Sequence, residues 1–480
     1  MKECIKLEYA IAPIISRQQE YGIEFDVGGA NELLIQLESK KLELKNKLQE
    51  VFSIRIINRG EFTPKNNYSC NRGGVVHRMV KGGTFTRIEY EEYNPNSRQQ
   101  TVDRLCKEFG WTPQEFTDKG NPEFDEEIIE SLPYKEMAPL KDYYIVNKRI
   151  SQLSGGKQAW LKHVREDGRI YGSVMQSGTI TARMAHYGPN LAQVPSCDKA
   201  WGTECRRLFR AKKGKIQVGC DADGLEARTL SGFLVPFDGG QFRDILLTGK
   251  KENKTDIHSI NAIAYEVNEY STGRDCAKTL FYAGIYGCKG PKAGLILQQF
   301  GIDLKSYIPN YNIEMIKIKQ WNARVKAGFS DRFLECLVAG KLAQGRYNEK
   351  LPALPNLIQD VIKSWESNKF LKALDGRKLY PSNAHSCFNI LNQSAGAIIM
   401  KKALAIADNL LYTNKNTRGK YEFMLNIHDE WQLEVENDKD LVTEVSDILK
   451  NSIKFAGEYF NFPCPMVGSI KIGTNWAETH

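Results

Sequence analysis

The sequence predicts a mixed α/β (α+β) protein in which two strand-bearing segments, far apart in the chain, share one sheet. Ile216, Val218 and Cys220 alternate into Asp221, and Phe423, Leu425, Ile427 and then Trp431, Leu433, Val435 alternate on either side of a short reversal. This period of two marks strands. Between the two segments, from about Leu234 to Leu374, the pattern is helical. Two mixed segments split by a long helical insertion fit a single sheet interrupted in sequence. A chain of 480 residues can bury a large core in two or three subdomains.

Along the chain, Leu34, Leu37, Leu44, Leu48 and Val51 form one stripe among lysines and glutamates, which predicts a helix. From Arg55 to Asn96 the composition shifts to Gly, Asn and Arg. Val76, Arg78 and Val80 alternate before Lys81-Gly82-Gly83, and Thr84, Thr86, Ile88 and Tyr90 alternate after it. The pattern predicts a β-hairpin turning at Gly82-Gly83. Ser97 is placed to cap a helix from Arg98. Asp118 to Pro122 reads as a loop, and the stretch to about Leu161 as mostly helical. Strand and turn signals then cluster from Ile170 to Leu225. The 421–437 hairpin is followed by an amphipathic helix from Asp440 to about Phe455.

Composition excludes several classes. Apolar content is 41% and no apolar run is long enough to span a membrane. Mean hydropathy is −0.44. The start, MKECIKLEYAI, has neither a signal-peptide core nor the Arg-rich, acid-poor character of a transit peptide. Eleven cysteines without a C-x-x-C pair fit reduced thiols in a cytoplasm. The net charge of +8 is compatible with a polyanionic partner and equally with a solvated lysine surface.

Three segments carry chemistry. VGCDADGLEAR puts Asp221 at a strand end before a helix start, and NIHDEWQLEV puts His428, Asp429 and Glu430 at a hairpin tip. Alone, the first reads better as a helix N-cap and the second as a solvated turn. Brought together, two such acids would hold two magnesium ions beside a phosphate group. RDCAKTLFYAGIYG spaces Arg274, Lys278, Tyr282 and Tyr286 four apart, on one helical sector. The cations fall near the helix N-terminus, where phosphate is favoured, and the rings continue toward a base and sugar. The plain alternative is a basic face over buried tyrosines.

These segments resemble motifs A, B and C of the A-family DNA polymerases, particularly the replicative enzymes of short-tailed phages. TITARMAHYGPNLAQVPS (179–196), DIHSINAIA (256–264), LDGRK (374–378), NQSAGA (392–397) and GTNWAETH (473–480) extend the resemblance, as do NPNSR (94–98), TDKGNP (117–122) and NKRISQL (147–153) upstream. The resemblance implies a right-hand polymerase fold. Residues 1–165 would form the thumb and N-terminal region, with a short hairpin insertion at about 55–96. Residues 166–235 would form the first part of the palm, 236–388 helical fingers, and 389–480 the second part of the palm. It implies addition of deoxynucleotides to a primer 3′ end on template DNA, with two Mg2+ ions, in phage genome replication inside the host cytoplasm.

The family's roles carry over by position. Asp221 and Asp429, with the Ala222 carbonyl, match the metal ligands, and Glu430 a nearby carboxylate. His258, Arg274 and Lys278 match triphosphate contacts, and Tyr282 the aromatic against the incoming nucleotide. That aromatic is tyrosine in some members and phenylalanine in others. Glu226 and Tyr286 match the sugar-selecting pair. Arg183, Gln393 and His428 match side chains at the primer–template minor groove and primer terminus. Implied partners are primer–template DNA and deoxynucleoside triphosphates. A replicative setting would add a helicase-primase, a single-strand binding protein and a separately encoded exonuclease.

This sequence departs from the pattern in places. Ala182 replaces the usual Gly of Thr-Gly-Arg, and is strained if the backbone there needs φ > 0. Asp223 is an extra acid two residues beyond Asp221. The chain begins near the thumb, without the acids of a proofreading exonuclease; Asp125 and Glu127 read as a solvated face. The 55–96 segment is shorter than a thioredoxin-recruiting insertion, which argues against that partner and leaves direct contact with duplex DNA or a thumb ornament. Among other functions, an RNA polymerase conflicts with Glu226, an inactive DNA-binding subunit with the intact acids and cations, and a two-metal nuclease leaves 274–286 unexplained.

Overall fold

The chain opens on α1 (Glu3–Tyr21), whose buried stripe is Leu7, Ile11, Ile14 and Ile15. Gly22 ends it at φ 66°, a value open mainly to glycine, and its N–H returns to the Gln18 carbonyl. The structure is a computed structural model that describes residues 2–480 except 73, 114–121, 123, 125–127, 130, 131, 133, 289 and 328. The loop expected over 118–122 (Pro122 apart) and the acidic pair Asp125 and Glu127 lie outside the described residues. The fold divides into Met1–Leu33 with Ser151–His480, and Leu34–Ile150. Residues 1–33 and 151–165 therefore group with the later segments, not with 34–150; α1 packs on the strand and long helix of the C-terminal part.

In the 34–150 unit, α2 (Val27–Val51) buries Leu37, Leu44 and Leu48 as the stripe predicts. Phe52 packs on Tyr93 with ring centroids 4.2 Å apart, and the Tyr93 hydroxyl bonds Thr101 at 2.9 Å. Four strands follow: β1 (Arg55–Phe62), β2 (Tyr68–Arg72), β3 (Val75–Met79) and β4 (Phe85–Glu91). The pairing corrects the sequence reading. β3 pairs with β2, and β4 with β1, not with β3. The segment 81–83 is a joint within one leg, because Lys81 N–H donates to Asn67 Oδ1 (2.8 Å) and Gly82 N–H to the Pro64 carbonyl (2.9 Å). The reversal lies between Arg72 and Val75. α3 (Arg98–Phe109) starts where expected, with Ser97 Oγ accepting from Gln100 N–H at 3.2 Å. Its buried Arg104 donates to the Ser53 carbonyl (2.8 Å) and pairs with Glu108 (2.9 Å).

The larger unit contains the interrupted sheet. β5 (Lys215–Ala222) comes from the first mixed segment; β6 (Tyr421–Ile427), β7 (Glu430–Glu436) and β8 (Gly468–Gly473) come from the last. The order is β6-β7-β5-β8, all antiparallel. Flanked on both edges, β5 is largely buried. A Cβ at Gly219 would meet the Thr479 carbonyl at 2.2 Å, so glycine lets the C-terminal segment cross the strand closely. From β5 the chain enters α4 (Leu225–Asp238) and the helical stretch containing α5 (Ile257–Ala264) and α6 (Gly273–Ile285), which pack on each other. It returns through α7 (Ala384–Thr413) to β6. After β7, α8 (Lys439–Tyr459) lays Leu441, Val445, Leu449 and Ile453 on the sheet and on α7. The eleven cysteines form no disulfide. Among the described residues no helix is long and apolar enough to cross a membrane.

Ala182 has φ 63° and is 3% exposed. A side-chain-bearing residue there carries about 1–2 kcal/mol of strain. Replacing it by glycine removes the strain, but costs chain entropy of about 0.5–1 kcal/mol and a buried methyl's packing of up to about 0.8 kcal/mol. The backbone term is expected to prevail narrowly: Ala182→Gly should raise the denaturation midpoint in urea, with a gain of about 0.5 kcal/mol. A clear loss would show that methyl packing dominates.

Candidate active site

The two strand-end acids meet as the interrupted sheet requires. Asp221 stands near the end of β5, and the α4 N-cap is Gly224, so Asp221 is not a helix cap. His428 and Asp429 form the tight reversal between β6 and β7, with His428 at φ 56°. The Ala222 N–H donates to the Asp429 carbonyl at 3.0 Å, which ties that reversal to β5. Burial, then the charges of Asp429 and Glu430, push Asp221 up to about 7. Burial also raises Asp429. Neither carboxylate has an ion-pair partner among the described residues. Two half-buried like charges side by side are costly, and a cation is the direct remedy.

Glu430 behaves differently. It is the first residue of β7, opposite Asp221, and is 4% exposed rather than at the hairpin tip. The Trp476 indole and the Gln432 amide donate to its Oε1, His480 Nδ1 lies 3.0 Å from its Oε2, and Arg206 Nη1 lies 3.6 Å away. Burial opposes its charge, but the His480, Arg206 and Trp476 interactions outweigh it and hold the pKa below the usual range. This network joins the C-terminal segment to the underside of the site.

On α6, Arg274 lies in the first turn and rests on Asp256, Nη2 to Oδ1 at 2.8 Å. Asp256 also caps α5, accepting from His258 N–H at 3.1 Å and from the Ser259 hydroxyl. Burial works against its charge, but Arg274 and Ser259 hold it at about 2. Burial, then Arg274 and Lys278, press His258 down to about 4, so the ring is neutral at pH 7. Its Nδ1 is buried without a hydrogen-bond partner. The His258 ring lies 5.9 Å from that of Tyr282. Lys278 is exposed. Burial raises the Tyr282 phenol, with smaller contributions from Glu226 and Asp223, and among the described residues no side chain hydrogen-bonds it.

Glu226, in the first turn of α4, is held from two sides. Arg183 Nη2 lies 2.9 Å from its Oε1, and the Tyr286 hydroxyl donates to its Oε2. Asn392 Nδ2 donates to its backbone carbonyl at 3.2 Å. Tyr286 stands at the end of α6, so Glu226 joins the first mixed segment to the helical insertion. Arg183 and His428 line one small cavity with Met184, Ala397 and Asn426. Burial, then Arg183, lowers His428. Gln393 is half-buried on α7, one turn before Ala397, and no hydrogen bond joins it to Arg183 or His428. Asp223 is paired with Arg228 at 3.1 Å on the surface.

Several participants escaped the sequence reading: Asp256, Asn392, the Arg206–Trp476–His480 set and His186. Asp256 had a signal, an acid directly before an apolar helical run. The rest act through tertiary interactions alone. His186, its Nε2 buried without a partner, is pressed to about 4 by burial and His428.

As to a metal, no group of three or more His, Cys, Asp or Glu forms a cage among the described residues. Magnesium does not need one, because it commonly takes one or two carboxylates plus substrate phosphates and waters. The unpaired, raised Asp221 and Asp429 fit that donor set.

An antiparallel sheet with two such acids at one end, beside a helix of cations and rings, fits an enzyme site of the nucleotidyl-transfer class. The family model described as DNA polymerase family A matches residues 78–478. The chain belongs to DNA polymerase family A and is a DNA-directed DNA polymerase. It is 30% identical to the "DNA-directed DNA polymerase" of Enterobacteria phage T3 over all of this chain and 70% of the relative, and likewise to that of Escherichia phage T7. With "DNA polymerase I" of Aquifex aeolicus it shares 24% over 95% of this chain and 72% of that one. The structure of the "POL domain of Pol1 from M. smegmatis complex with DNA primer-template and dNTP" superposes with TM-score 0.71 at 17% identity, covering 98% of this chain and 70% of that one. That likeness shows the shared polymerase fold.

Proposed function

We propose that this polymerase extends a primer 3′ end with deoxynucleotides by a two-magnesium mechanism, and does so in phage genome replication. The observation that carries the chemistry is the unpaired acid pair Asp221 and Asp429 at one end of the sheet, opposite α6. Asp221, Asp429 and the Ala222 carbonyl would hold the two ions, which when bound supply Lewis-acid activation of the attacking hydroxyl and stabilisation of the leaving pyrophosphate.

The chain's own groups do the rest. Arg274 and Lys278 bind the triphosphate, Arg274 being held in place by Asp256 until it does. Neutral His258 offers a hydrogen bond at its orphaned ring nitrogen rather than a third charge. Tyr282 stacks near the nucleotide. Arg183, Gln393 and His428 orient the primer–template end. Glu430 serves by anchoring the C-terminal segment beneath Asp221. In this reading β5 to β8 with α8 and α7 from 389 onward belong to the palm, 236–388 to the fingers and the 34–150 unit to the thumb. The phage setting rests on the two phage relatives.

Glu226 is the sugar gate: a carboxylate fixed by Arg183 and Tyr286 closes the space a 2′-hydroxyl needs. Primer extension with each nucleotide type tests this. Glu226→Ala should raise ribonucleotide over deoxynucleotide incorporation about 10- to 100-fold, about 1.4–2.8 kcal/mol of lost discrimination. Glu226→Gln, which keeps the volume, should retain most of it. An unchanged ratio in Glu226→Ala, at normal deoxynucleotide activity, removes Glu226 from the gate.

A further inference from the structure

The β1–β4 ribbon carries a run of cations with no acid among them. From Phe62 to Ile88 the sequence has Lys65, Arg72, Arg78, Lys81 and Arg87 and no acidic residue. These 27 residues thus hold five of the chain's eight net positive charges. At the ribbon's base the cations are neutralised: Arg55 pairs with Asp103 and Glu108, both at 2.7 Å, and Arg59 with Glu89 at 2.6 Å. Beyond Glu61, Lys65, Arg78, Lys81 and Arg87 have no acidic partner among the described residues. Arg87 instead lies over the Phe62 ring, 5.2 Å from its centroid.

The far end is also open on both faces. Tyr68, Val75, Val76 and Val80 are 52%, 59%, 55% and 68% exposed. A two-stranded ribbon with both faces in water is marginal alone. Fixing one that is purely cationic costs further self-repulsion, which a polyanion relieves. The cations are distributed along both legs rather than gathered at one point, which suits a regularly charged backbone better than a compact acidic peptide.

We propose that this ribbon binds the phosphate backbone of duplex DNA and is a second hold on the primer–template, separate from the nucleotide site. It rests on the polymerase reading and extends it. Because the ribbon and the catalytic residues share one chain, the second hold keeps DNA at high effective concentration between additions. Its effect should appear in how long the enzyme stays on DNA, not in the chemical step.

The test compares the full chain with its Lys65→Gln/Arg78→Gln/Lys81→Gln variant. Single-nucleotide addition at saturating primer–template should be unchanged. Product length per encounter, read with a competitor trap, should fall several-fold. The slope of log Kd against log salt should become shallower by about 2–3, since each phosphate neutralised by the protein contributes about 0.9 to it. Equal product lengths and equal salt slopes would overturn the proposal, and would leave an acidic protein as the ribbon's partner. Absence of nucleotide addition by either chain would instead be a failure of the polymerase reading itself.

Discussion

Asp221→Asn and Asp429→Asn should each lower primer extension by at least about 10³-fold while leaving primer–template affinity within about threefold. The asymmetry follows from where the free energies lie. Metal ions supply several kcal/mol of transition-state stabilisation, and each ~1.36 kcal/mol is a factor of ten. DNA affinity comes mainly from phosphate interactions far more numerous than these two acids. Asp221→Asn has a second expected effect, opposite in sign. The folded-state pKa of Asp221, about 7, lies above its ordinary 3.8, so the native state holds that proton more tightly than the unfolded chain does. Ionising it opposes folding. The penalty is absent below about pH 4, grows to about pH 7 and is constant above. In chelator at pH 8, Asp221→Asn should therefore be more stable than the unaltered chain, by on the order of 1 kcal/mol after allowance for solvent screening. A lower thermal midpoint would mean that Asp221 supports the fold rather than being strained by it. Near-normal extension by both variants would remove the pair from catalysis.

The second large effect concerns chain terminators. Among the described residues the Tyr282 hydroxyl has no side-chain hydrogen-bond partner, and its ring lies 5.9 Å from that of His258, the proposed phosphate ligand. An incoming deoxynucleotide uses its own 3′-hydroxyl to satisfy a group near its phosphates. A dideoxynucleotide lacks that hydroxyl, and the tyrosine can replace it. A hydrogen bond to a charged group contributes about 1.5–3 kcal/mol, a ratio of about 10 to 150. The unaltered chain should accept dideoxynucleotides almost as well as deoxynucleotides, and Tyr282→Phe should discriminate by about that factor. The ratio of kcat/KM for the two substrates in each enzyme measures it. Strong discrimination by the unaltered chain, with no change in Tyr282→Phe, would show that Tyr282 does not face the nucleotide.

Much of the architecture was legible because local patterns recorded it. The alternation into Asp221 and around 428 marked strands, and the helical stretch between them was compatible with one sheet built from two segments, which β5 and β6–β8 form. Ala182, at φ 63°, meets the condition under which a non-glycine there is strained. What was misread had ambiguous local signals. The ribbon offers two Gly-Gly pairs, 73–74 and 82–83, and alternation alone does not choose between them. The choice is made by Asn67 and Pro64, which take the N–H groups of Lys81 and Gly82. Glu430 was illegible for another reason. Its burial depends on Trp476 and His480, some fifty residues later, and on Arg206, more than two hundred earlier. No window of sequence contains them together.

The central claim, that Asp221 and Asp429 jointly hold the catalytic ions, is tested most directly by a crystal structure of the chain with a dideoxy-terminated primer–template, a matching deoxynucleoside triphosphate and Mn2+. Anomalous scattering would then locate the metal. Two peaks are predicted, both ligated by the Asp221 and Asp429 carboxylates and the triphosphate, with the Ala222 carbonyl on one. Peaks elsewhere, or a metal set that excludes either aspartate in a complex with nucleotide bound, would contradict it.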